Sequence, residues 1–344
     1  MDVLDRKNKK LWYLPLEPLD KRYTIQTRVL FRKGFSKYFD VEVVDGELLT
    51  LEIEGVLKNV GFLDAYGTVY WKGEQLKKLA LLFWEGKIQD GDFMFVEDEE
   101  FPLEWIRYME RMSRFGRLNL FAFCHAGTWI ETDEISVRMR DILPPVEEGW
   151  LKMLDGIFVG SEFHRQEILK RHPGLVDKIF VTGLPFDAKS IIREIGPVDW
   201  KDKGNIVLFT GRLHPEKQPE LFDKLIEILR RDGYNAVGIK TLEENLTKEG
   251  YYKLLSKSKV MVSFALQENF GFSFREALTL NCVSIVPNRL AYVEYVPKEL
   301  RYDTFEECVK KVKYYLDLPK LDTDYSKLFI EDESVDKMAK VMLR

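Results

Sequence analysis

The sequence predicts an α/β protein made of two parallel-sheet units in tandem, and three observations carry that prediction. Its 344 residues amount to about twice the ~150 residues that one domain commonly takes. Short β-rich apolar runs alternate with amphipathic stretches, the pattern of βα units whose strands lie parallel. Between 187 and 204 the alternation lapses into a stretch carrying Gly196, Pro197, Asp202, Lys203 and Gly204, which reads as a linker.

In the first unit the predicted strands are Leu11–Leu16, Phe39–Val44, Phe93–Val96, Leu118–Cys124, Gly156–Val159 and Ile179–Val181. Helical spacing falls at 21–36, 72–85, 102–115 and 162–171. Ser161, followed by Glu162, opens the last of these as an N-cap, and no G-x-S-x-G elbow exists to make it a nucleophile. The second unit has predicted strands at Ile206–Phe209, Ala236–Ile239, Val260–Phe264 and Val283–Val286, with helices near 218–231, 247–257, 272–280 and 304–316. In the tail, Val335, Met338 and Met342 recur at helical spacing. The expected organisation is a unit over 1–190, a second over 200–325, and a helix within 326–344 that packs back on the first. Such a short apolar stripe is stable only when docked.

Lys+Arg 52 against Asp+Glu 57 gives a net charge of −5, which argues against wholesale charge-driven binding to nucleic acid. Cys124, Cys282 and Cys308 are too few and too irregularly spaced for a disulfide framework or a zinc pattern. With no signal-peptide pattern and no run of about 18 apolar residues, the expected setting is cytoplasmic.

In open parallel sheets ligands bind at the carboxyl ends of the strands, so polar residues just past each strand matter most. After strand 206–209 stands Gly211-Arg212-Leu-His-Pro-Glu216-Lys217. Here glycine allows a tight exit, and Arg212 and Lys217 place a planar fork and a compact charge ahead of a helix N-terminus, a combination suited to a diphosphate. After strand 260–264 stands Gln267-Glu268-Asn269-Phe270-Gly271-Phe272, with Glu276 later in the same helix. Glu268 and the free amides of Phe270, Gly271 and Phe272 suit hydroxyls and anionic oxygens, and Glu276 suits a ribose diol. A buried carboxylate without ligand or partner is costly.

Together these segments resemble the retaining glycosyltransferases of the GT-B fold, particularly family 4, whose two donor-site signatures are similar to Gly211-Arg212-x3-Glu216-Lys217 and Glu268-Asn269-Phe270-Gly271-Phe272-x3-Glu276-Ala-Leu. More weakly, 154–164 and 181–187 are similar to the end of that family's N-terminal domain. The resemblance implies two facing Rossmann-like domains with a cleft between them. It implies Arg212 and Lys217 on the donor diphosphate, Glu268 on the donor sugar, Glu276 on the ribose, and Gly211, Asn269, Phe270, Gly271 and Phe272 around the donor. His125, just past strand 118–124, resembles the N-domain histidine that reaches the transferred sugar. The implied substrate is a UDP- or GDP-sugar, with no other cofactor and no catalytic metal. The acceptor stays open among a glycan, a small molecule and a modified DNA base.

One departure is the segment Pro15–Thr24, which stands where the family commonly has a Gly-rich loop. Lys21, Arg22, Arg28, Arg32, Lys33 and Lys37 run there and beyond, beside Tyr23, Phe31, Phe35 and Tyr38. The same residues read first as an amphipathic helix with a basic outer face, and they motivate, as an alternative, a glycosyltransferase acting on hydroxymethylated pyrimidines of DNA, since cations and aromatics serve phosphates and flipped bases. A second alternative is a nucleotide-sugar binding protein without catalysis.

Overall fold

The computed structural model describes residues 9–19, 22–53, 56–59, 65–112 and 116–344. Asp20 and Lys21 lie outside the described residues. In the first half the order is β1 (Lys10–Leu14), α1 (Thr24–Phe35), β2 (Asp40–Val43), β3 (Thr50–Ile53), β4 (Val56–Asn59), α2 (Ala65–Trp84), β5 (Phe93–Val96), α3 (Leu103–Met112) and β6 (Asn119–Cys124). It continues through α4 (Glu134–Met139), α5 (Pro144–Met153), β7 (Gly156–Val159), α6 (Glu162–Arg171), β8 (Ile179–Val181) and α7 (Ala188–Ile195). The second half holds β9 (Gly204–Phe209), α8 (Pro219–Arg231), β10 (Val237–Lys240), α9 (Lys248–Lys257), β11 (Ser258–Val262), α10 (Phe272–Thr279), β12 (Val283–Pro287), α11 (Tyr292–Tyr295), β13 (Arg301–Tyr302), α12 (Phe305–Asp317) and α13 (Ser334–Met342).

Six strands form a parallel sheet in the order β2-β1-β5-β6-β7-β8, and five form a second in the order β10-β9-β11-β12-β13. The strand order reverses between β1 and β5 in the first sheet and between β9 and β11 in the second. Crevices open at such switch points beyond the carboxyl ends of the strands. The loops after β9 and β11, which carry the two segments expected to bind a donor, therefore meet at one of them.

Alternation along β1 sends Leu11 and Tyr13 to one face of the first sheet and Trp12 and Leu14 to the other, so that sheet has a core on each side. On the Leu11 face, Phe31 and Phe35 of α1 pack with Val335, Met338, Ala339 and Met342 of α13. The last helix of the chain thus lies against the first sheet. Gly34 allows the approach, because a Cβ there would stand 2.6 Å from the Val335 Cγ1.

Several local expectations need correction. β1 stops at Leu14 rather than Leu16, where Pro15 cannot donate to the ladder. The stretch read as a linker contains α7, capped by Asp187, whose carboxylate accepts from the Ser190 amide at 2.9 Å, and ended by Gly196 at φ 84°. The antiparallel β3–β4 hairpin, the helices α4 and α5, and the two-residue β13 were not anticipated. β13 is too short to show a period, and Pro144 and Pro145 start α5 where the missing N–H groups cost nothing. Asn281 takes the left-handed conformation at φ 52°, as expected of a residue ending α10.

Candidate functional site

In the second sheet's crevice, the loops after β9 and β11 are tied together by a backbone bond from the Leu266 amide to the Glu216 carbonyl, 2.8 Å. Arg212 pairs with the buried Glu216. Lys217, also buried, donates to the Gln267 carbonyl and lies 3.6 Å from a Glu268 carboxylate oxygen. Gly211 permits this packing, since a Cβ would stand 3.3 Å from that of Lys217. Gly271 precedes α10 at φ +80°, and a Cβ there would fall 2.1 Å from the Phe274 ring. No other residue type enters this conformation without strain.

Glu276 lies about one turn into α10 and is buried against α9, where it pairs with Lys248 and accepts from the Tyr252 hydroxyl at 3.2 Å. These partners, distant in sequence, were missed by sequence reasoning. They settle the charge that burial would otherwise leave uncompensated.

The first sheet's crevice is built from the exits of β1, β5 and β6. His125, half-buried just past β6, donates through Nε2 to the Glu97 carbonyl at 2.8 Å, which leaves Nδ1 as the acceptor facing the Tyr23 hydroxyl at 3.4 Å. Burial lowers its pKa to about 4 although Asp98 opposes the shift, so the ring is neutral at neutral pH. Sequence reasoning passed over the run Glu97-Asp98-Glu99-Glu100, directly after β5, although its strand-end position was the available signal. Burial pushes Glu97 up to about 7 against the opposing bonds from Thr27, Tyr13 and the Leu16 amide. Burial and then Asp98 push Glu100 up to about 8. Asp98 itself pairs with Lys72 at 2.6 Å.

The two crevices face each other and touch. Asn269 donates through Nδ2 to the His125 carbonyl at 2.8 Å, and its own carbonyl accepts from the Ser161 hydroxyl at 2.7 Å. Ser161 also caps α6 as predicted, accepting from the His164 amide at 3.2 Å. The Tyr23 ring stacks on Phe272, the first residue of α10, with centroids 4.6 Å apart. Thr132 donates to the Leu266 carbonyl at 3.2 Å. The structure thus brings Gly211, Arg212, Lys217, Glu268, Asn269, Phe270, Gly271 and Phe272 to one side of an interdomain cleft and His125 to the other, with Glu276 behind them against α9. Two buried acceptors, Asn269 Oδ1 and Glu216 Oε2, find no hydrogen-bond donor among the described residues. Among the described residues, no group of three or more His, Cys, Asp or Glu side chains is placed to hold a metal ion.

Around α1 the structure has an amphipathic helix with a basic outer face, Arg32, Lys33 and Lys37 being exposed, rather than a surface on which cations and aromatics stand together. Phe31 and Phe35 are core residues, Arg28 pairs with Asp45 at 2.6 Å, and Lys37 pairs with Asp336 at 3.0 Å. Helical spacing had placed all these residues on one segment, but the aromatic half of that segment faces inward.

Two Rossmann-like parallel sheets with opposed switch-point crevices define the GT-B glycosyltransferase fold, and the solved structures similar to this chain share it. A sucrose-phosphate synthase from Thermosynechococcus elongatus superposes with a TM-score of 0.63 at 14% identity, covering 97% of each chain. A trehalose-6-phosphate synthase gives 0.64 at 11% identity, over 97% of this chain and 98% of that one. No family model matches. Over 121 residues the chain is 31% identical to a tRNA-queuosine alpha-mannosyltransferase of Drosophila melanogaster, a match that takes in 35% of this chain and 30% of that relative's length. Among the described residues no helix is long and apolar enough to cross a membrane.

Proposed function

We propose that the protein is a retaining glycosyltransferase, resembling family 4, that moves a sugar from a UDP- or GDP-sugar to an acceptor hydroxyl. The observation that carries this reading is the gathering of Arg212, Lys217 and Glu268 around the N-terminus of α10, at the switch point of one sheet and facing His125 at the switch point of the other. On this reading the donor diphosphate draws Lys217 from the Gln267 carbonyl and Arg212 from Glu216. The two cations then stabilise the negative charge that develops as the sugar leaves, where fixed charges in a dry cleft act most strongly. Glu268 and the unpartnered Asn269 Oδ1 receive sugar hydroxyls, Glu276 with Lys248 and Tyr252 supports the ribose end, and the amides of Phe270, Gly271 and Phe272 complete the donor contacts. His125, neutral and with its Nε2 proton committed to a carbonyl, serves as a polar contact to the sugar rather than as a proton donor. Departure and attack on one face of the sugar then account for retention. A thermal-shift screen of UDP-, GDP- and ADP-sugars tests this, because a ligand binding only the native state raises its melting temperature. Stabilisation by one of them is expected, and stabilisation by none contradicts the reading.

For the acceptor, the partial relative favours a nucleoside within a nucleic acid, because its name places the acceptor in tRNA. Transfer of labelled sugar to bulk tRNA, weakening steeply with salt, is the expected result, with hydroxymethylated duplex DNA as the comparison substrate. Transfer to neither polymer, in the presence of a functioning donor, returns the acceptor to a glycan or small molecule.

A further inference from the structure

Arg275, the residue before Glu276 on α10, is buried in a cage of aromatic rings. Its guanidinium carbon lies 3.9 Å from the centre of the Phe270 ring, 4.1 Å from that of Tyr295 and 4.6 Å from that of Phe329. Its Nε and Nη2 find no hydrogen-bond acceptor among the described residues. Burial lowers its pKa to about 10, so the group remains charged at neutral pH. Each of the three rings belongs to a different contact between the domains. Phe270, beside Asn269 in the loop ahead of α10, packs on the exit of β7 so closely that a Cβ at Gly160 would stand 3.1 Å from its own. Tyr295, the last residue of α11, donates its hydroxyl to the Gly160 carbonyl. Phe329 leads into the segment that returns to the first sheet, where the Asp332 carboxylate accepts from the Phe186 amide at 3.0 Å. A buried cation gives up its hydration, and an apolar side chain of similar volume commonly serves cohesion as well or better. What a guanidinium adds is direction, because a flat charged plate is attracted to ring faces and holds them at set angles.

We propose that Arg275 is a positioning residue of the donor site, which holds Phe270, Tyr295 and Phe329 together and thereby fixes the loop Glu268–Gly271 against the first domain. The inference rests on the glycosyltransferase reading and deepens it. Arg275 acts through the loop, by setting where Glu268 and the amides ahead of α10 stand relative to His125. Loss of the cage then leaves the diphosphate contacts of Arg212 and Lys217 in place and misaligns the sugar.

The test compares wild type, Arg275→Met and Arg275→Lys with Leu229→Ala, a substitution in the core of α8 that weakens the second domain without touching the cage. For each, the melting temperature, the affinity for UDP and GDP by calorimetry, and kcat and KM for nucleoside diphosphate release from the stabilising nucleotide sugar are measured below the melting transition. In Arg275→Met, kcat is expected to fall about 10- to 100-fold, as when a reacting group is misplaced by about 1 Å, while nucleotide affinity stays near that of wild type. Arg275→Lys, which keeps the attraction of a cation for the rings, is expected to recover part of the loss. Leu229→Ala should melt at a lower temperature with unchanged kcat. If Arg275→Met keeps wild-type kcat, if its nucleotide affinity falls in parallel with kcat, or if Leu229→Ala loses kcat as much, the positioning role is overturned while the donor reading stands. If wild type neither binds nor turns over any nucleotide sugar, both fail together. If Arg275→Met does not fold, the same comparison of kcat with affinity in Arg275→Lys decides.

Discussion

Glu97 shows how one buried residue couples the site to pH. Three donors converge on its carboxyl group, from Tyr13, Thr27 and the Leu16 amide, yet burial outweighs them and pushes its pKa up to about 7. Between the ordinary value of 4.5 and about 7 the folded protein therefore binds a proton that the unfolded chain has lost, and stability falls as pH rises through that window. The loss is complete above pH 7. His125 acts in the opposite sense, because its lowered pKa makes stability rise with pH between about 4 and 6.5. Glu97→Gln removes the first contribution and leaves the second. Its stability relative to wild type should climb by about 3 kcal/mol between pH 4.5 and 7 and then level, since each tenfold change in proton affinity is worth ~1.4 kcal/mol. Denaturant titrations across pH 4.5–8 measure this, and parallel curves for the two proteins would show that Glu97 titrates normally.

At the scale of elements, α10 concentrates the local constraints. Its start requires Gly271 in a left-handed conformation with the Phe274 ring where a Cβ would be. Gly271→Ala is therefore expected to cost at least ~1–3 kcal/mol and to weaken donor binding by displacing the amides of Phe270 and Phe272. Unchanged stability in a melting experiment would sink that argument. The two segments that meet at the second sheet's switch point were legible in the sequence because they are local: a strand, a polar loop, a glycine and a helix start stand within a few residues of each other. The pairing of Glu276 with Lys248, the Tyr23–Phe272 stack and the contact of Asn269 with His125 join residues from distant elements. No periodicity encodes such contacts. The helix α7 was hidden for another reason, being only Ala188–Ile195 long and set among glycine, proline and charged residues that otherwise read as linker.

At the scale of the molecule, α13 returns to the first sheet and joins the halves of the chain at a second place. Val335 lies over Gly34, Lys37 pairs with Asp336, and the Asp332 carboxylate accepts from the Phe186 amide at 3.0 Å. On the other side of the cleft, Glu294 of α11 accepts from the amides of Glu162 and Phe163 at the start of α6, both at 2.8 Å. Such paired crossings suit a hinge that opens for the donor and closes to exclude water. Removing residues 330–344 should lower the melting temperature and raise donor hydrolysis relative to transfer, and a truncated protein unchanged in both would make the helix an appendage.

The central claim is that Arg212 and Lys217 act on the leaving diphosphate of a nucleotide sugar. The most direct test measures nucleoside diphosphate released from the stabilising nucleotide sugar by wild type, Arg212→Ala and Lys217→Ala, each checked for folding by circular dichroism. The account predicts turnover by wild type and a fall of about 100- to 1,000-fold in each folded variant. Equal release by all three proteins would contradict it.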